Sequence, residues 1–122
     1  MNNIKTVLVV DDSRVSRMMS RQFILSLHPE WLVEEAVNGE DAIERIQTLT
    51  PHLILLDVNM PGMGGLAAAE KLRQLCPNTR INLLTANVQD ATRNRATALG
   101  VGFVEKPITE SRIRQMLAGL DE

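Results

Sequence analysis

The sequence predicts a three-layer α/β fold in which helices cover both faces of one parallel sheet. Short, continuous apolar segments alternate five times with amphipathic helical segments. The apolar segments are rich in β-branched residues and leucine, a composition typical of strands that are buried on both faces. Such a strand–helix alternation produces a parallel sheet with right-handed crossovers. We therefore expect one domain over residues 1–122.

The second of the five predicted strands differs from the others because it contains Glu34 and Glu35. A strand of this polarity belongs at an edge of the sheet, where one side meets water. The flavodoxin-like strand order 2-1-3-4-5 places it there, and it opens a ligand crevice beside the first and third strands. The predicted strands, in chain order, are Thr6–Val10, Trp31–Ala36, Leu53–Leu56, Ile81–Leu84 and Val101–Val104.

Apolar residues three and four positions apart predict a helix after each strand. In the first helix the stripe begins with Val15 and Met19, and we expect both Met18 and Met19 to lie in the core. Helix-end signals support the assignment of the last two helices. These signals are Asn87 and Thr109 as N-caps and Gly100 as the residue after the fourth helix.

The composition excludes several classes of protein. A net charge of −2 argues against a protein held on nucleic acid by bulk charge. The apolar runs Val7–Val10 and Leu53–Leu56 are too short to cross a bilayer, and one lysine before the first run does not make a signal peptide. The single cysteine, Cys76, cannot form an internal disulfide. We therefore expect a protein of the reducing cytoplasm.

Polar residues follow four of the five predicted strands at their carboxyl ends. Asp11 and Asp12 follow the first strand, Asp57 the third, Thr85 the fourth and Lys106 the fifth. One polar residue at a strand end usually marks the point where the chain meets water. Four such ends converge on one edge of a parallel sheet, which is where this fold binds ligands.

The residue types at this edge suggest phosphoryl chemistry. Crowded carboxylates repel one another, and one of them takes up a proton unless a cation lies among them. Oxygen ligands without His or Cys favour Mg²⁺. Asp57 can then act as a nucleophile that forms an aspartyl phosphate. Lys106 can neutralise the phosphoryl oxygens, and the Thr85 hydroxyl can donate a hydrogen bond to one of them.

This set of residues closely resembles the receiver domain of two-component response regulators. The resemblance covers essentially the whole chain, and residues 55–65, LLDVNMPGMGG, are similar to the phosphorylation-site signature of that family. The other residues that carry it are Asp11, Asp12, Thr85, Ala86, Lys106 and Pro107.

The resemblance implies a role for each residue of the metal site. Asp57 would be the phospho-acceptor. Mg²⁺ would be held directly by Asp12, Asp57 and the backbone carbonyl of Asn59, while Asp11 would assist through water.

The resemblance also implies a switch. Thr85 and Phe103 would be the switch residues, and Lys106 would bind the phosphate. The Lys106–Pro107 peptide bond is expected to be cis. We expect the signal to be read out on the face made by the fourth helix, fifth strand and fifth helix. Phe103 can also be understood simply as an apolar residue of the fifth strand.

The expected partners follow from the same resemblance. The donor would be a phosphohistidine on a histidine kinase or a histidine phosphotransfer protein. The receiver would not be an enzyme acting on a separate substrate, but a switch that catalyses its own phosphorylation and dephosphorylation. It would control a downstream target or output domain as a monomer or a phosphorylation-dependent dimer, without binding nucleic acid or membrane directly.

Three alternative functions fit the sequence less well. A haloacid-dehalogenase-type phosphatase needs two aspartates separated by one residue, whereas Asp11 and Asp12 are adjacent. A flavodoxin-like electron carrier needs a phosphate-binding loop where this chain has Asp-Asp-Ser-Arg. A degenerate receiver used only for binding is disfavoured by the intact acid set. The stripe of Arg14, Arg17 and Arg21 is either a solvated face or a docking surface for the donor.

Overall fold

A computed structural model describes residues 4–60, 62–86, 90–118 and 120 of the chain. Two features of the sequence fall outside these ranges. They are Asn87, the predicted cap of the fourth helix, and Pro61, within the segment that resembles a phosphorylation signature.

The strands form one five-stranded parallel sheet. They are β1 (Thr6–Val10), β2 (Leu32–Ala36), β3 (Leu53–Asp57), β4 (Arg80–Thr85) and β5 (Gly102–Glu105). Their order is β2-β1-β3-β4-β5, which confirms the predicted order. The bounds of four strands differ by a single residue at one or both ends from the predicted segments. The chain reverses its direction of travel across the sheet at β1 and β3, so a crevice opens beyond their carboxyl ends.

Five helices pack on the sheet as the alternating pattern predicts. They are α1 (Arg14–Leu27), α2 (Gly39–Arg45), α3 (Gly64–Leu75), α4 (Asp90–Leu99) and α5 (Glu110–Leu117). Helices α1 and α5 cover one face of the sheet, and α2, α3 and α4 cover the other. None of the helices in the described ranges is long and apolar enough to cross a membrane.

The core consists of two apolar clusters separated by the sheet. Val7 and Val9 pack under α1 and α5, whereas Leu8 and Val10 pack under the other three helices. This alternation follows from the period of two residues along a strand. At the edge of the sheet, Leu32 in β2 is 58% exposed, as the polar second strand predicts. The central strands therefore form a rigid support for the groups at their ends.

Two of the predicted helix-end signals are confirmed. The Thr109 side chain caps α5 by accepting a hydrogen bond from the backbone N–H of Arg112. Gly100 follows α4 with a φ of 72°, and the Val101 N–H donates to the carbonyl of Ala96. This is the hydrogen bond of a Schellman motif, for which a left-handed glycine is the favoured residue.

The prediction that the first turns of α1 are buried in the core is wrong. Met18 and Met19 were expected in the core, but they are 55% and 40% exposed, and Val15 is 65% exposed. The helix begins at the carboxyl edge of the sheet, so its first turns extend past the strands on which they would pack. Complete burial begins only at Ser20 and Ile24.

Two adjacent glycines join the turn after β3 to helix α3 for different reasons. Gly64 has a φ of 77°, and a Cβ added there would meet nothing within 4 Å. A Cβ on Gly65 would collide with the carbonyl oxygen of Asp57 and the Cα of Val58. The Gly65 N–H also donates to the Val58 carbonyl at 3.1 Å. Only glycine at position 65 lets α3 approach the end of β3 this closely.

We expect Gly65→Ala to reduce the free energy of unfolding by about 3 kcal/mol, because the added methyl group forces the backbone to move. Gly64→Ala is the matched control, and its left-handed strain should cost only about 1 kcal/mol. Urea unfolding measures both losses. Amide spectra should show the Asp57 and Val58 resonances displaced in the first variant alone. Equal losses with unmoved Asp57 resonances would contradict this account.

Candidate functional site

The end of β1 places one acid inside the protein and the next at its surface. Asp11 is 1% exposed, and Asp12 is exposed. The Asp11 Oδ1 atom accepts a hydrogen bond from the Ser13 N–H at 2.9 Å. Ser13 in turn caps α1 by accepting from the Ser16 N–H at 3.2 Å. The sharp turn from strand to helix therefore orients the Asp11 carboxylate.

The end of β3 supplies a second buried acid. Asp57 is the last residue of the strand and is 3% exposed. Its Oδ1 atom accepts a hydrogen bond from the Asn59 N–H at 3.2 Å. The next residue, Val58, remains tied to the sheet because its N–H donates to the Leu84 carbonyl at 2.9 Å. Asn59 lies in the exposed turn beside the Asp57 carboxylate.

The last two strands bring a hydroxyl and an ammonium group to the same edge. Thr85 ends β4 and is 2% exposed, and its carbonyl accepts from the Lys106 N–H at 2.7 Å. The Lys106 Nζ atom lies 3.2 Å from Asp57 Oδ1 and 3.7 Å from Asp11 Oδ2. The peptide bond between Lys106 and Pro107 is cis. One ammonium group thus faces two buried carboxylates.

The three acids can hold a metal ion. Asp11, Asp12 and Asp57 each offer an oxygen atom, and these atoms lie within 4.8 Å of one another. Among the described residues, no hydrogen-bond donor reaches the buried Oδ2 atom of Asp11, since Lys106 lies beyond hydrogen-bond distance. Burial is the main reason that the pKa of Asp11 is raised, and the neighbouring charge of Asp57 adds to it. An unsatisfied oxygen in an all-oxygen cluster fits a hard divalent cation.

Phe103 lies away from this edge, so the structure does not bring it together with the acids. It belongs to β5, is half-buried, and packs against the cluster beneath α2, α3 and α4. The guanidinium carbon of Arg93, in α4, lies 5.4 Å from the centre of its ring. This distance is within the range of a cation–π interaction. Phe103 therefore connects α4 to the strand that leads to Lys106.

Arg17 contributes to the site, although the sequence pattern left its role open. Its Nη1 atom donates to the Asp11 carbonyl at 2.7 Å, and its Nε atom donates to Glu35 Oε1 at 2.9 Å. The side chain is only 13% exposed, so Arg17 is not part of a solvated face. No local signal identifies this role, because Arg17 lies in α1 whereas Glu35 lies in β2, 18 positions further along the chain. Arg21 lies 3.7 Å from the same carboxylate and is half exposed.

An apolar cleft opens beside the lysine. Its volume is about 380 Å³, and the exposed side chains of Val15 and Met18 lie on the same helix as two of its lining residues. The lining residues are Ser16, Met19, Ala86, Lys106, Pro107 and Ile108. A partner surface that enters this cleft would come close to the Lys106 side of the acid cluster.

Comparisons with known proteins agree with this geometry. Residues 7–118 match the family described as the response regulator receiver domain. The chain is 34% identical to the chemotaxis protein CheY of Thermotoga maritima, over 93% of this chain and 94% of that protein. It is 40% identical to the nitrate/nitrite response regulator protein NarL of Escherichia coli, over 80% of this chain but only 44% of NarL.

A solved structure shows the same fold. The structure of chemotaxis protein CheY4 of Vibrio cholerae superposes with a TM-score of 0.85 at 28% identity, over 93% of this chain and 96% of that one. The family match covers nearly the whole chain, and its members work by phosphorylation-dependent switching. The chain therefore belongs to the response regulator receiver domain family of two-component signalling systems.

Proposed function

We propose that this receiver accepts a phosphoryl group on Asp57 and changes its preference for partners as a result. The observation that carries this proposal is the Lys106 ammonium group, which lies 3.2 Å from Asp57 Oδ1 beside the acid cluster. A buried carboxylate that faces an ammonium group can receive a phosphoryl group whose negative charge the ammonium group then partly neutralises.

Mg²⁺ is the proposed cofactor of this site. Asp12, Asp57 and the backbone carbonyl of Asn59 would bind it directly, and Asp11 would bind through water. The all-oxygen donor set and the unsatisfied Asp11 Oδ2 atom support this assignment. When bound, the ion supplies positive charge that offsets repulsion between the carboxylates and the incoming phosphoryl oxygens.

The chemical step is an in-line transfer. An Asp57 carboxylate oxygen attacks phosphorus, the P–N bond of the donor phosphohistidine breaks, and its electron pair stays on the imidazole. Lys106 holds one phosphoryl oxygen as a point charge, and the Thr85 hydroxyl donates to another. The domain thus catalyses its own phosphorylation. Water attacking the same phosphorus would break its bond to the Asp57 oxygen, release inorganic phosphate and restore the carboxylate.

The proposed donor is a histidine kinase or a histidine phosphotransfer protein. The receiver family interacts with histidine kinases. The cleft of about 380 Å³ beside Lys106 and the exposed Met18 side chain provide apolar surface where a donor domain would approach Asp57. This surface supports protein–protein contact, and the proposed location of that contact is the cytoplasm. The sequence contains no basic excess for binding nucleic acid directly.

The output is proposed to leave the site through α4, β5 and α5. Thr85 and Glu105 are register partners on β4 and β5, and Phe103 precedes Glu105 by two residues. Movement of Thr85 toward a phosphoryl group would leave space into which the Phe103 ring can turn, away from Arg93. Phosphorylation then shifts the balance between two packings, and its effect is limited by its differential affinity for them. Docking of a downstream target, or of a second copy as a dimer, remains a prediction.

Asp57→Asn should abolish phosphorylation, because an amide cannot form the acyl phosphate. Intact-mass measurement after incubation with acetyl phosphate and Mg²⁺ should show one added phosphoryl group on the wild-type protein and none on this variant. Asp41→Asn, which makes the same change in α2, is the control and should label normally. Excess chelator should also block labelling of the wild type. Full labelling of Asp57→Asn would exclude Asp57 as the acceptor.

Asp11→Asn should raise the free energy of unfolding at neutral pH without Mg²⁺, on the order of 1 kcal/mol. Burial raises the pKa of Asp11 above its ordinary value of 3.8, so the folded protein binds this proton more tightly than the unfolded chain does. The stabilisation from the protonated form is present below pH 3.8 and is lost as the pH rises through the folded pKa. The gain in the free energy of unfolding of Asp11→Asn over the wild type should therefore vanish in acid.

Urea unfolding of Asp11→Asn at several pH values measures this dependence. Asp12→Asn is the control, because its exposed carboxylate loses little hydration on folding. Titration of Mg²⁺ should show weaker binding for Asp11→Asn than for the wild type. If Asp11→Asn keeps its fold but is less stable than the wild type at neutral pH, burial and the neighbouring Asp57 charge do not disfavour the Asp11 carboxylate, and the prediction is wrong.

Beryllofluoride, which mimics the phosphoryl group, should shift the amide resonances of β5 and α4 as well as those of the residues around Asp11 and Asp57. The residues of β2 serve as an internal control and should change little, because that strand lies at the opposite edge of the sheet. Shifts confined to Asp11, Asp57 and Lys106, with Phe103 unchanged, would show that the signal does not leave through this face.

A further inference from the structure

The chain segment that carries Lys106 lies at the exposed edge of the sheet. β5 pairs with β4 alone, and the Lys106 N–H makes the last hydrogen bond to it, at 2.7 Å from the Thr85 carbonyl. Glu105 and Pro107, on either side of Lys106, are both exposed. Proline has no N–H to donate. Few backbone hydrogen bonds therefore fix the position of the Lys106 backbone, from which its side chain extends.

Arg112 supplies contacts on both sides of this lysine. Its Nη1 atom lies 2.9 Å from the Glu105 carbonyl oxygen and 2.8 Å from the Pro107 carbonyl oxygen. One guanidinium nitrogen thus donates to the carbonyls that flank Lys106. Within the described ranges Arg112 forms no ion pair, so its charge is directed at these two oxygens. Hydrogen bonds from a charged donor are stronger than those between neutral groups.

Helix α5 fixes the position of Arg112. Ile113, Met116 and Leu117 are 0%, 4% and 1% exposed, so one face of the helix is part of the core. The backbone N–H of Arg112 also donates to the capping Thr109 hydroxyl at 3.1 Å. The guanidinium group therefore connects the Lys106 segment to an element that cannot move independently of the core.

We propose that Arg112 is a positioning residue for Lys106 in phosphoryl transfer. It holds the carbonyls on both sides of the lysine, so that the ammonium group stays near Asp57 and is placed to meet the phosphoryl oxygens. This inference rests on the proposed function of the site. Because Arg112 also lines a cleft of about 340 Å³ on the proposed output face, it links that face to the chemistry.

The test compares Arg112→Ala with Arg114→Ala. Arg114 lies in the same helix, is 67% exposed, and pairs with Glu110 at 2.8 Å, so the control removes the same charge without touching the Lys106 segment. At saturating Mg²⁺ and acetyl phosphate, we expect Arg112→Ala to lower the rate of Asp57 phosphorylation about 10-fold, as misplacement of a catalytic group does. Arg114→Ala should react at close to the wild-type rate.

Repeating both substitutions in a Lys106→Met background separates positioning from general damage. Without the lysine, Arg112→Ala should cause no further loss of rate. A 10-fold loss that persists in this background would overturn the proposal, because Arg112 would then act independently of Lys106. Equal rates for Arg112→Ala and Arg114→Ala would overturn it as well.

A second measurement does not depend on phosphorylation. The side-chain ¹³Cε resonance of Lys106, assigned by its loss in Lys106→Met, should shift in Arg112→Ala and stay in place in Arg114→Ala. If the wild type took up no phosphoryl group, the proposed function would be wrong. The Lys106 resonance would still show whether Arg112 positions Lys106. An unshifted resonance in Arg112→Ala would overturn the positioning role even if the wild type is phosphorylated.

Discussion

The burial of two carboxylates side by side at the carboxyl edge of the sheet is the constraint on which the rest of the site depends. Asp11 and Asp57 are 1% and 3% exposed, and burial alone makes an unpaired carboxylate strongly unfavourable. The Lys106 ammonium group, 3.2 Å from one and 3.7 Å from the other, offsets part of this cost. It leaves Asp11 Oδ2 without a hydrogen bond from any described residue. The cluster therefore keeps an excess of negative charge, and a divalent cation is a ligand that could offset it.

A rigid scaffold is needed to keep such a site in place. Strand β3, which is buried throughout, and strand β1, which is buried from Val7 to Val10, provide it, because their apolar side chains pack on both faces of the sheet. Two arginines extend this rigidity to the chain segments beyond the strands. Arg17 holds the Asp11 carbonyl, and Arg112 holds the carbonyls around Lys106. Stability from the core thus offsets the unfavourable charges at the functional edge.

A phosphoryl group on Asp57 would change this balance of charge. It replaces the one negative charge of the Asp57 carboxylate with about 2 negative charges and places three acceptor oxygens next to Lys106. Thr85 pairs with Glu105 at the end of β5, and Lys106 directly follows that strand. Phe103 lies in β5 beneath Arg93. A local change in charge can therefore alter packing on a distant face, provided that the strand has two arrangements of similar free energy.

The sequence alone determined the strand order and the identity of the acid cluster. The strand order follows from the polarity of the second strand, which belongs at an edge. The acid cluster follows from the residues at the strand ends, because the carboxyl ends of parallel strands meet at one edge of the sheet wherever the helices lie. Tertiary structure decided which turns of α1 are buried, and it showed Met18 and Met19 at the surface. It also paired Arg17 with Glu35 and Arg112 with the Lys106 segment. These contacts depend on how each helix is placed against the sheet, and no spacing along the chain specifies that placement.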